Sequence, residues 1–118
     1  MLRSMTNARD LSNHLVDLYR RERHAMVEFL LALAAFDREK RWRELGHGSL
    51  FAFLRRELRL SAGAAQYRKT AAELIQRYPA VEQALRSGDL CLSSIVELAK
   101  VVTPENVADV LPRFFGLP

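Results

Sequence analysis

Apolar residues recur at intervals of three and four along the first third of the chain. This spacing places them on one face of an α-helix. Thr6 or Asn7 can cap its start, so the pattern predicts one long helix from about residue 8 to about residue 40. The same pattern allows a continuation through Trp42 to Leu45. A helix of this length is expected to pack against a partner chain or against another part of the domain.

The sequence GHGS at residues 46–49 ends this pattern, because two glycines disfavour a helix and the serine can cap the next one. LFAFLRREL, at residues 50–58, is then predicted to form a short helix. Its expected buried residues are Leu50, Phe51, Phe53, Leu54 and Leu58. After a tight connection, Ser61 is predicted to cap a second helix over residues 62–77, which Pro79 ends.

Three further helices are predicted within about residues 79–111. PAVEQALRS begins with a proline and is followed by Gly88, which are the usual signs of a helix start and a helix end. A helix is also predicted over residues 92–102, and Thr-Pro-Glu at residues 103–105 marks the start of another.

No segment alternates between apolar and polar residues as a half-buried strand does. The pattern therefore predicts an all-α fold, in which one multi-helix domain covers residues 1–118. This domain has one long N-terminal helix and a helix-turn-helix-like pair at about residues 50–77. The apolar ending FFGLP indicates that the chain is a fragment of a longer protein.

Helical geometry divides residues 62–78 into two faces, at about 100° per residue. The face expected to be buried carries Ala64, Tyr67, Ala71, Leu74, Ile75 and Tyr78. The opposite face carries Ala62, Ala65, Gln66, Lys69, Glu73 and Gln76, with Arg68 at the boundary. The alanines keep this helix slim, so a neighbouring helix can approach one side and a ligand the other.

Composition excludes several classes of protein. No apolar run approaches the roughly 20 residues that span a membrane, and the N-terminus lacks the apolar core of a signal peptide. Cys91 is the only cysteine, so no intrachain disulfide can form and a cytoplasmic location is expected. His14, His24 and His47 are too scattered to form a metal-binding cluster. No metal, cofactor or membrane partner is expected.

The basic residues are concentrated in the central third of the chain. Residues 38–69 carry nine Arg and Lys against three Glu, a formal net charge of +6, whereas the whole chain carries +4. A localised basic surface is typical of a protein that binds a polyanion. The alternative is a solvated face near the helix ends.

The predicted helix-turn-helix pair overlaps the end of this basic third and suggests contact with duplex DNA. The N-terminal amides of the second helix favour a phosphate, to which Ser61 can donate. Gln66 suits an adenine edge, and Arg68 and Lys69 suit guanine or the backbone. The three arginines before the turn are placed to contact phosphates: Arg55, Arg56 and Arg59. The other interpretation is an ordinary connection between the helices of a bundle.

Four segments of the chain resemble, in the same order, the N-terminal region of bacterial HNH endonuclease-type proteins. They are ELGHGSL (44–50), ELRLSAGAAQYRK (57–69), PAVEQALRSGDL (79–90) and TPENVADVLPRFFGL (103–117). This resemblance implies a helical region that associates with DNA or targets it and that precedes a separate nuclease module. The stretch from GHGSLF to ELRLS is also similar to helix-turn-helix segments of plasmid and phage DNA-binding proteins.

The chain lacks the clustered His and Asn residues and the strand hairpin that an HNH active site requires. We therefore expect a non-catalytic DNA-binding or DNA-targeting domain of an HNH endonuclease-like protein. The alternative is a helical dimerisation or protein-interaction module without DNA contact, which would form a homodimer through the long first helix.

Overall fold

The computed structural model describes residues 7–117, and within this range it contains helices and no strand. The α-helices are α1 (Ala8–Arg38), α2 (Leu50–Arg56), α3 (Ala62–Arg77), α4 (Pro79–Ser87), α5 (Ile95–Val101) and α6 (Val107–Val110). Short 3-10 helices lie at Arg41–Leu45, Leu92–Ser94 and Leu111–Phe114. The prediction of an all-α fold with one long N-terminal helix is confirmed.

A side-chain cap starts helix α1, and a left-handed residue ends it. The Asn7 side chain accepts a hydrogen bond of 2.8 Å from the backbone N–H of Asp10, which makes Asn7 the N-cap. Thr6, the other candidate cap, lies outside the described residues. The helix ends at Arg38 because Lys40 adopts a left-handed conformation with a φ of 53°. The continuation of α1 through Trp42 is therefore wrong, since that residue lies in a separate 3-10 helix.

Helix α3 is the centre of the fold and packs against α1, α2, α4 and α5. Its alanines 65, 71 and 72 are completely buried, and their small side chains let the neighbouring helices approach closely. Larger side chains from all the surrounding helices complete the core: Leu30, Leu54, Leu85, Ile95 and Leu98. Only the second half of α1 joins this core, since its buried residues begin at Val27.

Because α3 has helices on several sides, its buried arc is wider than one face. Ala65 was expected on the exposed face but is completely buried, and Tyr67 was expected in the core but is 38% exposed. In the first two turns the exposed side is formed by Ala62, Gly63, Gln66 and Tyr67. The prediction for Leu58 is also wrong, because α2 ends at Arg56 and leaves Leu58 40% exposed in the connection.

The boundaries of α4 match the prediction, whereas α5 begins at Ile95 after a 3-10 helix at Leu92–Ser94, and α6 begins at Val107, later than the Thr-Pro-Glu signal predicts. Pro79 is the first residue of α4, and Gly88 ends that helix with a φ of 85°. Before α6, the Thr103 hydroxyl accepts from the backbone N–H of Asn106 at 3.1 Å, and the Asn106 side chain accepts from the N–H of Thr103 at 2.7 Å. No helix within residues 7–117 is both long enough and apolar enough to cross a membrane.

Candidate nucleic-acid interface

A tight connection joins α2 to α3. Arg59 adopts a left-handed conformation with a φ of 57°, and the backbone N–H of Leu60 donates to the carbonyl oxygen of Leu54 at 3.2 Å. Ser61 then caps α3, since its hydroxyl oxygen accepts from the N–H of Ala64 at 3.2 Å. The short connection brings the last turn of α2 and the first turn of α3 next to each other.

Three arginines of this junction are exposed. The side chains of Arg55, Arg56 and Arg59 make no hydrogen bond or ion pair within residues 7–117. Arg41, also in the basic third, differs from them: Glu44 and Glu39 bind its guanidinium, and these hydrogen bonds raise its pKa. Unpaired, hydrated guanidinium groups are available to a phosphate without first breaking an ion pair.

The acidic residue of the junction is already bound. A carboxylate oxygen of Glu57 lies 3.1 Å from Nε2 of His47, whose side chain is only 9% exposed. The His47 ring also stands edge-on to Phe53, with the ring centres 5.8 Å apart. His47 is therefore a packing residue beside the junction. Glu57 pairs with His47 and forms no ion pair with any of the three arginines.

The first two turns of α3 expose the remaining groups that could touch a ligand. Gln66 is exposed, and its amide donates to the hydroxyl of Thr70 at 3.1 Å. Thr70 itself is buried, so the exposed side of the helix narrows in the third turn. The accessible part of α3 is thus its N-terminal end, which is the part of a recognition helix that contacts base edges.

The other two predicted residues of α3 are held within the helix. The Arg68 guanidinium donates to the carbonyl oxygen of Ala64 at 3.1 Å. Lys69 forms an ion pair of 3.2 Å with Glu73, and its side chain is 31% exposed. Both residues would have to leave these contacts, or share them, in order to bind DNA. The structure brings the predicted residues to one junction but leaves only the three arginines, Ser61 and Gln66 exposed.

Tyr67 and Gly63 share the exposed side of α3 with Gln66, and sequence reasoning did not select either of them. Tyr67 was assigned to the core by its position on the helix, and only the packing of α3 reveals its exposure. A β-carbon placed on Gly63 would meet no atom within 4 Å, so its surface is open. A tyrosine ring can stack or donate to a phosphate, and a glycine lets another molecule approach the backbone closely.

The exposed start of α3 and three arginines whose side chains have no partner within residues 7–117 give this all-α chain a basic helix-turn-helix-like junction. The chain belongs to the family described as a domain of unknown function, DUF222, whose model matches residues 12–111. That match covers α2, α3 and the connection between them. No curated protein and no solved structure matches the chain.

Proposed function

We propose that this chain is a non-catalytic DNA-binding or DNA-targeting domain. The observation that carries the proposal is the group of three exposed arginines without partners, Arg55, Arg56 and Arg59, directly before the capped start of α3. They would hold phosphates on either side of a groove, and the first two turns of α3 would enter it. Gln66 and Tyr67 would then face the bases.

Contact with DNA would be limited to the start of α3. Thr70 is buried, and Glu73 in the following turn is exposed and negative, which disfavours a phosphate there. The proposed interface therefore gains most of its affinity from charge and little from base reading. We expect binding that weakens steeply with salt and discriminates modestly between sequences.

The parent protein is proposed to be a bacterial, cytoplasmic HNH endonuclease-like protein, in which this domain places a separate nuclease module on DNA. The support is the order of the four sequence segments described above, together with the lone, exposed Cys91, which suits a reducing compartment. The domain itself is proposed to carry out no chemistry.

The test is a titration of labelled duplex DNA at several salt concentrations. A triple variant, Arg55→Ala, Arg56→Ala and Arg59→Gly, should bind at least tenfold more weakly and lower the salt slope by about three, since each phosphate contact contributes about one. The matched control, Arg9→Ala, Arg20→Ala and Arg113→Ala, removes the same charge from exposed arginines elsewhere. The proposal fails if the wild type does not bind at micromolar protein and low salt, or if both triple variants weaken equally.

A second candidate function is a helical dimerisation module without DNA contact. Its support is the first half of α1, where Leu11, Leu15, Val16, Leu18 and Tyr19 are all exposed. The two functions are compatible, because many helix-turn-helix proteins bind DNA as dimers.

A further inference from the structure

Helix α1 carries a second apolar row besides the face that it buries in its own domain. The row follows positions that are alternately four and three residues apart, and every one of its residues is exposed. We call it the α1 seam; it consists of Leu11, Leu15, Leu18, Glu22, Ala25, Phe29 and Ala32. At about 100° per residue, its centre lies roughly 110° around the helix from Leu30, which is completely buried. The seam is therefore centred outside the buried face of α1 and adjoins it at the buried Leu33.

The spacing of the α1 seam is that of a coiled coil. Its mean interval is about 3.5 residues, the repeat of the positions where two supercoiled helices meet. The seam covers three heptads, or roughly 33 Å of helix at about 1.5 Å per residue. Leu15 is 65% exposed and Phe29 is 36% exposed, although each stands where a coiled coil buries a side chain.

We propose that a second copy of this chain packs antiparallel along the α1 seam and forms a two-helix coiled coil. This inference deepens the dimerisation candidate and does not depend on DNA binding. The proposed register places Leu15 opposite the partner's Ala32, Leu18 opposite the partner's Phe29, and Glu22 opposite the partner's Ala25. The two-fold axis repeats each of these layers, as a self-complementary interface requires.

A parallel arrangement of the same seam is poorer in the layers that contain Glu22, Ala25 and Ala32. It would place Glu22 opposite the partner's Glu22, and like charges facing each other inside a seam are destabilising. It would also place each alanine opposite an alanine, which leaves gaps between the helices. The antiparallel register fills both alanine layers, with Leu15 at one and with the methylene groups of Glu22 at the other.

Charge on the flank of the seam favours the same register. Arg21 would lie beside the partner's Glu28, and the symmetry axis would generate this contact twice. Within one chain Arg21 binds Asp17 at 2.8 Å, and these two side chains are 74% and 55% exposed. Because this ion pair is exposed, it contributes little to stability, and Arg21 can exchange Asp17 for Glu28 of the second copy. Glu28 accepts from Arg86 at 3.2 Å and retains lone pairs for a second donor.

The end of the seam meets a cleft. The register brings Leu11 to the partner's Phe36, and Phe36 lines a cleft of about 430 Å³ together with Ala35 and Leu45. Leu45 is 56% exposed in the single chain. A leucine from the second copy would cover these apolar atoms, and the same contact would recur at the other end of the dimer.

Sedimentation of the full chain without DNA tests the dimer. The wild type should shift from monomer to dimer as its concentration rises through the micromolar range, and Leu18→Asp should weaken the dimer at least tenfold. Val16→Asp is the matched control, because Val16 is 43% exposed and Leu18 is 44% exposed but only Leu18 belongs to the α1 seam. A monomer at all concentrations, or equal effects of the two variants, would overturn the inference.

Cross-linking tests the register. In a Cys91→Ser background, which removes the only native thiol, a Leu18→Cys chain mixed with a Phe29→Cys chain should form the mixed disulfide. Leu18→Cys chains that cross-link only to each other would show a parallel dimer and overturn the register. As a second readout, Arg21→Glu and Glu28→Arg should each weaken the dimer and together restore it. A wild-type chain that binds DNA but stays monomeric contradicts this inference alone, and a wild-type dimer that does not bind DNA contradicts the proposed function alone.

Discussion

Asp37, near the end of α1, accepts a hydrogen bond of 3.0 Å from the side-chain amide of Gln76, which lies 39 residues later near the end of α3. The other carboxylate oxygen of Asp37 accepts from the indole N–H of Trp42 at 2.9 Å. One carboxylate thus joins α1, the 3-10 helix after it and α3. Because the Trp42 side chain is buried, its N–H has no access to bulk water as a substitute partner.

Asp37→Ala should therefore destabilise the fold by about 1–3 kcal/mol, the cost of leaving a buried donor unsatisfied. Chemical denaturation followed by circular dichroism measures this change. Glu97→Ala is the control, because Glu97 and its partner Lys100 are 66% and 63% exposed and should contribute at most about 0.5 kcal/mol. Equal effects of the two substitutions would show that Asp37 does not join these elements.

Gly63 offers a test that separates stability from binding. It is the second residue of α3, and no atom lies within 4 Å of the β-carbon that alanine would add. Gly63→Ala should raise the free energy of unfolding by at most about 0.5–1 kcal/mol, the difference for a helix interior, because alanine is the better helix former. In the same variant DNA should bind more weakly, since the new methyl group lies on the side of α3 proposed to enter the groove.

A loss of stability in Gly63→Ala would contradict the finding that the surface at this position is open. Unchanged DNA affinity would exclude a close approach of DNA to the α3 backbone at Gly63. Ala62→Gly serves as the opposite control in the same turn. It should lower stability through the same difference in helix propensity, and because it removes a methyl group from the exposed first turn it should not obstruct DNA.

Substitutions of Arg59 can separate the effect of its backbone conformation from the effect of its charge. Its left-handed backbone favours glycine, whereas its exposed guanidinium is proposed to bind phosphate. Arg59→Gly should leave stability within about 1 kcal/mol of the wild type, because relief of backbone strain offsets the greater freedom of the unfolded chain. DNA affinity should nevertheless fall, with a salt slope smaller by about one.

Arg59→Lys is the companion variant, since it keeps both the backbone strain and the charge. It should bind DNA nearly as the wild type does if Arg59 acts through its charge. Equal losses in the lysine and glycine variants would instead require the forked geometry of the guanidinium.

The starts of α1 and α3 could be predicted from sequence because they depend on local chemistry. Asn7 and Ser61 accept from backbone N–H groups of their own helix starts, and such contacts need no knowledge of the rest of the chain. The ion pair of Lys69 with Glu73 is equally local, since residues four apart face each other on a helix. It could have been predicted, and it would have lowered the expectation that Lys69 is free for DNA.

The burial of individual residues on α3 could not be predicted in the same way. Ala65 and Tyr67 were assigned to faces by assuming one buried side, but α3 has helices on several sides. Which arc is covered depends on where α1, α2, α4 and α5 come to lie, and no local pattern encodes that. The bond between Asp37 and Gln76 is non-local in the same sense. The sequence could therefore propose which residues form the candidate site, while only the packing shows which side of α3 is exposed.

The cap of α3 provides the sharpest test of phosphate binding. Ser61 accepts from the N–H of Ala64, and aspartate fills the same role at least as well. Ser61→Asp should therefore keep the fold, with a melting temperature equal to or above that of the wild type. The added negative charge lies where the proposed interface places a phosphate, so DNA affinity should fall at least tenfold. Thr103→Asp is the matched control, because Thr103 caps its own turn in the same way but lies outside the basic third of the chain. It adds the same charge and should change DNA affinity less than twofold. If both aspartates weaken binding equally, the effect comes from net charge, and the start of α3 is not the DNA-binding site.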